Sequence, residues 1–333
     1  MSAPAYRPLA DTRVRAGGLR AGSGLPSLRE RLARERSLHL MVLPSVAVAA
    51  VIHYLAMYGL VIAFKRYDIF QGILASPWAS HGGFEHFIDF FRAPNAFRVL
   101  RNTVAIALLK LTFLSLPPMI LAILLNEIRV MAFKRISQTI SYLPHFISWV
   151  VIGGIIYDLL NPSRGLLNKL LLGAGIVDAP IDFISTDLYF WPLIVLSHLW
   201  KEVGWASILY LAVIATIDPN LFEAAEIDGA GRRAKIRWIT WPHLTGIFMI
   251  LFILHSGKIM SGYGDTFDQV YVLGNVSNRG VSDILDTYVL RIGLENLRFS
   301  FATAVNLFKS VLNLGLLLAA NYLSKRLTEK SLF

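Results

Sequence analysis

Residues 218–244 read DPNLFEAAEIDGAGRRAKIRWITWPHL and form the longest polar, charged interval lying between two strongly apolar spans. Asp218 followed by Pro219 is a helix start, because the Asp side chain caps free backbone N–H groups and proline at the first helical position loses no hydrogen bond. A short helix is expected to run to about Asp228, with Leu221, Ala224 and Ala225 at i, i+3 and i+4 on one face. Gly229, Ala230 and Gly231 break that helix and keep the surface low, so another backbone can come close. A second basic segment, 232–241, then leads through Pro242 back into apolar sequence.

The flanking composition sets the class. Hydrophobic residues make up 55% of the 333-residue chain and only 16% are charged, with a mean hydropathy of +0.55, outside the usual range for a soluble domain. Six apolar runs near or above the ~20 residues a bilayer-crossing helix needs are read at 38–64, 101–126, 137–160, 190–215, 243–263 and 299–323. The fold class is therefore all-α and polytopic. Pro44, Pro117, Pro118 and Pro192 predict kinks or shifted ends. Within 161–189, the run from Gly165 to Leu171 has the pattern of an amphipathic surface helix.

The charge of +10 is distributed as membrane topology requires rather than as a nucleic-acid surface. With the N-terminus inside, the inner segments 1–37, 127–136, 216–242 and 324–333 carry 18 basic residues, and the longer outer segments carry about half that number. Both termini and the 218–244 loop are thus expected on the cytoplasmic side. Residues 1–37 read as a basic tail, partly disordered, with a short basic helix attracted to anionic lipid. The membrane-spanning body is read as 38–327 and a short cytoplasmic tail as 328–333. Cysteine is absent, which removes disulfide, thiolate and Cys-ligated metal chemistry.

Glu223, Ala224, Ala225, Gly229, Ile239 and Pro242 resemble, residue type by residue type, the EAA loop in the membrane subunits of ABC importers. The surrounding I-D-G-A-G resembles the sugar branch of that family, the maltose and glycerol-phosphate type. Lys201-Glu202-Val203-Gly204-Trp205, Phe267-Asp268-Gln269, Asn321-Tyr322-Leu323 and Tyr58-Gly59-Leu60 resemble the members that serve complex oligosaccharides. The resemblance covers about 38–327 and leaves the N-terminal tail outside it. It implies six spans of the type I importer kind, with Leu221, Glu223, Ala224, Ala225, Asp228, Gly229, Ala230 and Gly231 as a coupling helix seated in a groove of an ATPase. It also implies a second permease subunit, ABC ATPase subunits that carry the ATP and Mg, and an extracytoplasmic solute-binding protein. The membrane would be the bacterial cytoplasmic (inner) membrane, and this chain would bind no cofactor of its own.

No G-x-x-x-x-G-K-[ST] occurs in the chain, so energy must come from a partner or an ion gradient. Charges in lipid are costly and are functional candidates by default. Counting ~1.5 Å per helical residue from the outer ends, Lys110, Lys201 with Glu202, and Lys309 fall near mid-membrane, and Lys258 lies nearer the outer face. Asn306, Lys309, Ser310 and Asn313 follow i, i+3, i+4 and i+7 on the sixth span, a polar stripe that should face protein or water. His198 and Glu202, four residues apart, are a candidate hydrogen-bonded pair. We expect Lys201, Glu202, Asn306, Lys309 and Asn313 to line a translocation path, with Lys258 and Lys110 beside it. An excess of lysines over carboxylates favours an anionic cargo such as a uronate oligosaccharide. For each lysine the competing reading is a carboxylate on a second membrane subunit, or a structural role. Asp265, Asp268, Asp283 and Asp286 lack an EF-hand spacing and read as solvated or docking groups. The rival function is a secondary transporter driven by an ion gradient, which calls for mid-membrane carboxylate pairs and an inverted repeat.

Overall fold

The computed structural model describes residues 36–257 and 265–328. Lys258, Tyr263, residues 1–35 of the N-terminal tail and the last five residues lie outside them. The described residues are helical, with one isolated bridge between Lys65 and Trp78 in place of strands. The described residues fall into two units, one ending at Tyr58 and one beginning at Gly59. In the first, α1 (Arg36–Ala49) keeps Pro44 inside the helix and continues as the wide turns of Ala50–Leu55. The run Arg36–Phe64, expected at 38–64, is long and apolar enough to cross a membrane.

In the second unit, α2 (Glu85–Arg92) precedes α3 (Ala96–Ser115) and α4 (Pro117–Asn126). Together α3 and α4 make one run of 31 residues. Proline at the first position of α4 needs no backbone N–H, and the Ser115 hydroxyl donates to the Leu111 carbonyl just before the joint. The third span differs from the single helix expected at 137–160. Here α5 (Met131–Tyr142), extended by a 3-10 turn Leu143–Phe146, meets α6 (Trp149–Leu160) at a bend of 101°. Pro144 removes a donor from the helical ladder, Ile147 is extended, and the Ser148 hydroxyl accepts from the Val151 N–H to start a new helix. Helix α7 (Leu166–Gly173) is the expected surface helix. The buried Asn168 side chain ties it to Ile181 through bonds of 3.0 and 2.8 Å.

Helix α8 (Asp187–Ile214) has 28 residues, about 42 Å at the helical rise, and turns by 74° into α9 (Pro219–Ile227). The next run, Arg232–Ser256, is continuous and begins eleven residues before the expected 243. Its π stretch Ile236–Thr240 widens the backbone just where the ring of Pro242 would meet a carbonyl one turn back, so α10 (Trp241–Gly257) passes through the proline. Helices α11 (Thr266–Leu273), α12 (Leu285–Leu290) and α13 (Phe299–Thr328) complete the described chain.

Lipid supplies no hydrophobic drive for helix association, so close packing and polar contacts set the arrangement. Gly204 on α8 lets α5 approach until an added Cβ would lie 1.9 Å from the Ser141 carbonyl oxygen. Met119, Ala122 and Ile123 of α4 pack with Tyr210 and Ile214 of α8 and Leu244 of α10. Residues 265–298, expected as the third outer segment, are folded onto the bundle rather than loose. Val270 and Leu273 of α11 are buried with Ile106, Phe190 and Ile194, and Asn102 donates to the carbonyls of Gly280 and Asp283, both at 3.1 Å. Asp283 is accordingly buried, with Arg291 at 2.6 Å, which corrects the expectation that it is a solvated group.

Candidate translocation and coupling sites

Helix α8 carries the polar groups expected at mid-membrane, and each has found a partner. Lys201, 3% exposed, donates to the His145 carbonyl at 2.6 Å and lies 3.1 Å from Glu202 Oε1. Glu202 Oε2 is 2.8 Å from His145 Nδ1. The proposed pairing of His198 with Glu202 is replaced by different partners: Glu202 is held by His145 and Lys201, while His198 Nδ1 is 3.3 Å from the ammonium of Lys110. Lys110, 1% exposed, also donates to Thr266 Oγ1 at 2.8 Å. Gln269 of α11 donates to the Ile194 carbonyl at 2.7 Å and to Ser197 Oγ at 2.8 Å.

These elements enclose a cavity of about 300 Å³ whose wall includes His145, His198, Glu202, Trp205, Tyr210 and His255 among apolar side chains from α3, α4, α8 and α10. Trp205 stacks flat on the His145 ring at 4.4 Å. The wall thus offers a carboxylate, imidazoles and aromatic faces, and the two ammonium groups are withdrawn behind it. Such a surface matches a hydroxyl-bearing ring, with polar edges for hydrogen bonds and apolar faces for stacking. Sequence reasoning placed Glu202 here and missed His145, Trp205, Tyr210 and His255 as wall residues. No local pattern joins His145 to Glu202, 57 positions away.

The sixth span behaves similarly. Lys309 on α13 is paired with Asp286 of α12, so Asp286 is a second correction to the solvated reading. Asp286 and Asn306 share a separate cavity of about 330 Å³ with Phe267, Phe299 and Thr303. Asn313 is buried, and the Ser310 hydroxyl donates to the Asn306 carbonyl at 3.0 Å. Of the seven expected path residues, Glu202 and Asn306 line cavities. Lys201 and Lys309 are tied to carboxylates, Lys110 to Thr266 and His198, Asn313 is packed away, and Lys258 lies outside the described residues.

The 218–244 element has the form read from its sequence. Asp218 Oδ1 accepts from the Asn220 N–H at 3.0 Å. At the other end Gly229 has φ +76. Its N–H bonds to the Glu226 carbonyl at 3.0 Å, and the Ala230 N–H to the Ala225 carbonyl at 2.8 Å, the paired bonds of a Schellman stop. Leu221, Glu223, Ala224, Asp228, Gly229 and Gly231 are exposed, Ala225 and Ala230 are partly covered, and Ile227 is 88% exposed. Lys235 pairs with Glu226 at 3.0 Å, and Arg232 pairs with Glu127 at the end of the second span. The result is a firmly stopped helix that offers an apolar and acidic face to solvent.

Residues 106–329 match the family described as binding-protein-dependent transport system inner membrane component. Protein LplB of Bacillus subtilis (strain 168) is 41% identical over 315 residues, 95% of this chain and 96% of that protein. The polygalacturonan/rhamnogalacturonan transport system permease protein YteP of the same organism is 40% identical over 303 residues, 91% of this chain and 92% of YteP. Among solved structures, a chain of a bacterial ABC transporter involved in the import of the acidic polysaccharide alginate is 34% identical with a TM-score of 0.81, covering 90% of this chain and 99% of that one. A second structure of a bacterial alginate ABC transporter, in complex with an alginate pentasaccharide-bound periplasmic protein, gives 33% identity and a TM-score of 0.80 over 92% of this chain. An all-helical bundle of bent membrane spans with an exposed EAA helix, and likeness along almost its whole length, identify the chain as a member of the binding-protein-dependent transport system inner membrane component family, the permease subunits of ABC importers.

Proposed function

We propose that this chain is one half of the translocation path of an ATP-driven importer of acidic oligosaccharides, and that α9 is the element through which a separate ATPase moves it. The observation that carries the proposal is the continuity of α8. One end of this helix turns directly into α9, and between about 6 and 18 Å back along it Tyr210, Trp205 and Glu202 form cavity wall. Displacement of α9 by a closing ATPase dimer is therefore delivered to the wall, exchanging inward for outward access. Leu221 and Ile227 supply apolar contact, Glu223 and Asp228 charged contact, and the small residues from Gly229 to Gly231 allow close seating.

ATP and Mg belong to the partner in this reading, and this chain holds no cofactor. A second permease closes the path, and an extracytoplasmic binding protein delivers cargo to the outer side. The basic segments put both termini in the cytoplasm, with 1–37 as a tail on the inner surface and 328–333 as a second short tail. Support for an acidic cargo comes from the substrates named for YteP and for the alginate transporter. The lysines that first suggested it, Lys201 and Lys309, are neutralised by carboxylates of the chain itself.

The test uses the complete complex of both permeases, ATPase and binding protein. Gly229→Asp should retain membrane insertion while losing ATPase attachment or cargo-stimulated hydrolysis, because position 229 requires positive φ and a low surface. Normal transport by Gly229→Asp removes the coupling role.

A further inference from the structure

The shortest contact of the Lys201 ammonium is with backbone: Nζ donates to the His145 carbonyl oxygen at 2.6 Å. That carbonyl lies in the 3-10 turn Leu143–Phe146, at the C-terminal end of the first arm of the bent third span. Carbonyls at a helix C-terminus have no partner within the helix and carry the negative end of its dipole, so an ammonium there is favoured twice. The same ammonium is 3.1 Å from Glu202 Oε1, and Glu202 Oε2 is 2.8 Å from His145 Nδ1. The three side chains and one carbonyl close a ring, capped on its other side by Trp205 lying flat on the imidazole. Lys201 also stands 5.8 Å over the ring of Trp149, the first residue of the second arm. It touches both sides of the 101° bend.

From this geometry we infer that Lys201 is a positioning residue that braces the corner of the third span, and that it acts on cargo only through the wall it holds. The ammonium ties the end of the first arm to α8, which fixes the His145 imidazole against Glu202 and Trp205 at the cavity surface. Because α8 also runs into α9, the brace makes the corner move with the coupling helix. This inference deepens the importer reading and rests on it.

The chain contains no cysteine, so Val150→Cys, exposed and one residue into the second arm, gives this subunit a single spin-label site beside the corner. The label is followed in the full complex in proteoliposomes with Lys201, with Lys201→Met and with Lys201→Gln, alongside ATP hydrolysis with and without cargo-loaded binding protein. Lys201→Met is expected to mobilise the label, raise cargo-free hydrolysis, and lower the ratio of stimulated to unstimulated rate by about fivefold or more, the size of a modest coupling energy. Lys201→Gln keeps a donor for the His145 carbonyl without a charge, and should keep the label ordered and most of the ratio. It also serves if the Met variant does not assemble. A cargo-contacting ammonium predicts a different pattern: an unchanged label and unchanged cargo-free hydrolysis in Lys201→Met, and a raised half-saturation for the acidic oligosaccharide in both variants. That pattern overturns the brace. A Lys201 complex with no cargo-stimulated hydrolysis at all refutes the importer reading instead, and the label mobility then still decides whether Lys201 holds the corner.

Discussion

Substituting alanine for Gly204 brings a methyl group to 1.9 Å from the Ser141 carbonyl oxygen and 2.4 Å from its carbon. Those atoms are backbone and cannot rotate away. Restoring ordinary contact requires α5 and α8 to separate by about 1.5 Å, an overpacking strain of about 1–3 kcal/mol. The effect extends beyond stability, because the same two elements carry the 2.8 Å contact between His145 and Glu202 and the 2.6 Å contact between Lys201 and the His145 carbonyl. A separation of that size takes both past hydrogen-bond reach. Gly204→Ala is therefore expected to lower the melting temperature of the purified complex and to cut cargo-stimulated ATP hydrolysis by about tenfold or more. Two neighbours calibrate the result. Gly154→Ala meets nothing within 4 Å and should be neutral or stabilising by up to about 1 kcal/mol from helix propensity. Gly153→Ala meets the Val272 Cγ1 at 2.2 Å, a side-chain end that can turn aside, and should fall between. A Gly204→Ala complex that melts and transports like the unmodified one would refute the close apposition of α5 and α8 and the cavity wall built on it.

Other outcomes follow from single contacts. Asp218→Ala removes the cap of α9 and should cost about 0.5–2 kcal/mol of local helix stability, seen as faster hydrogen exchange over 219–227 and weaker ATPase attachment. Lys309→Met leaves Asp286 without its ammonium, and should destabilise by about 3–5 kcal/mol, whereas Lys309→Met with Asp286→Leu should recover most of that loss; thermal unfolding in detergent measures both. The Arg66 guanidinium, 2.9 Å from both Glu85 oxygens, and the Ser80 N–H hold the Glu85 carboxyl down to about 2. A depressed carboxyl contributes above its ordinary value of 4.5 and loses its contribution as pH falls through about 2. Pepsin should therefore leave 65–92 intact near pH 4 and cut it near pH 2, and Glu85→Gln should remove the difference.

Legibility followed the range of the interactions. The start and stop of α9 are local, set by Asp218, Pro219 and Gly229, and were readable to within a residue. Long apolar runs marked the spans because lipid demands them. The break in the third span was missed because apolar residues continue across it on both sides, although Pro144 and Ser148 are the proline and capping signals of a stop and a restart. Pro242 had the opposite outcome: a strong breaker was absorbed by a π stretch that no residue pattern announces. The buried charges were found by their cost in lipid, but their partners come from tertiary contacts. Asp286 reads as a loop acid until α12 folds against α13, and His145 reads as an ordinary polar residue until the bend turns it toward Glu202. For that reason the sequence pointed to charged path residues, and the folded chain presents a wall of imidazole, carboxylate and aromatic rings.

The most direct measurement of the central claim is uptake of an acidic oligosaccharide into proteoliposomes containing this chain and its partner permease, with binding protein outside and ATP inside, with and without the ATPase subunit. Uptake is predicted only with the ATPase present, and it should disappear with Gly229→Asp. Uptake without the ATPase, driven by an imposed proton or sodium gradient, would contradict it.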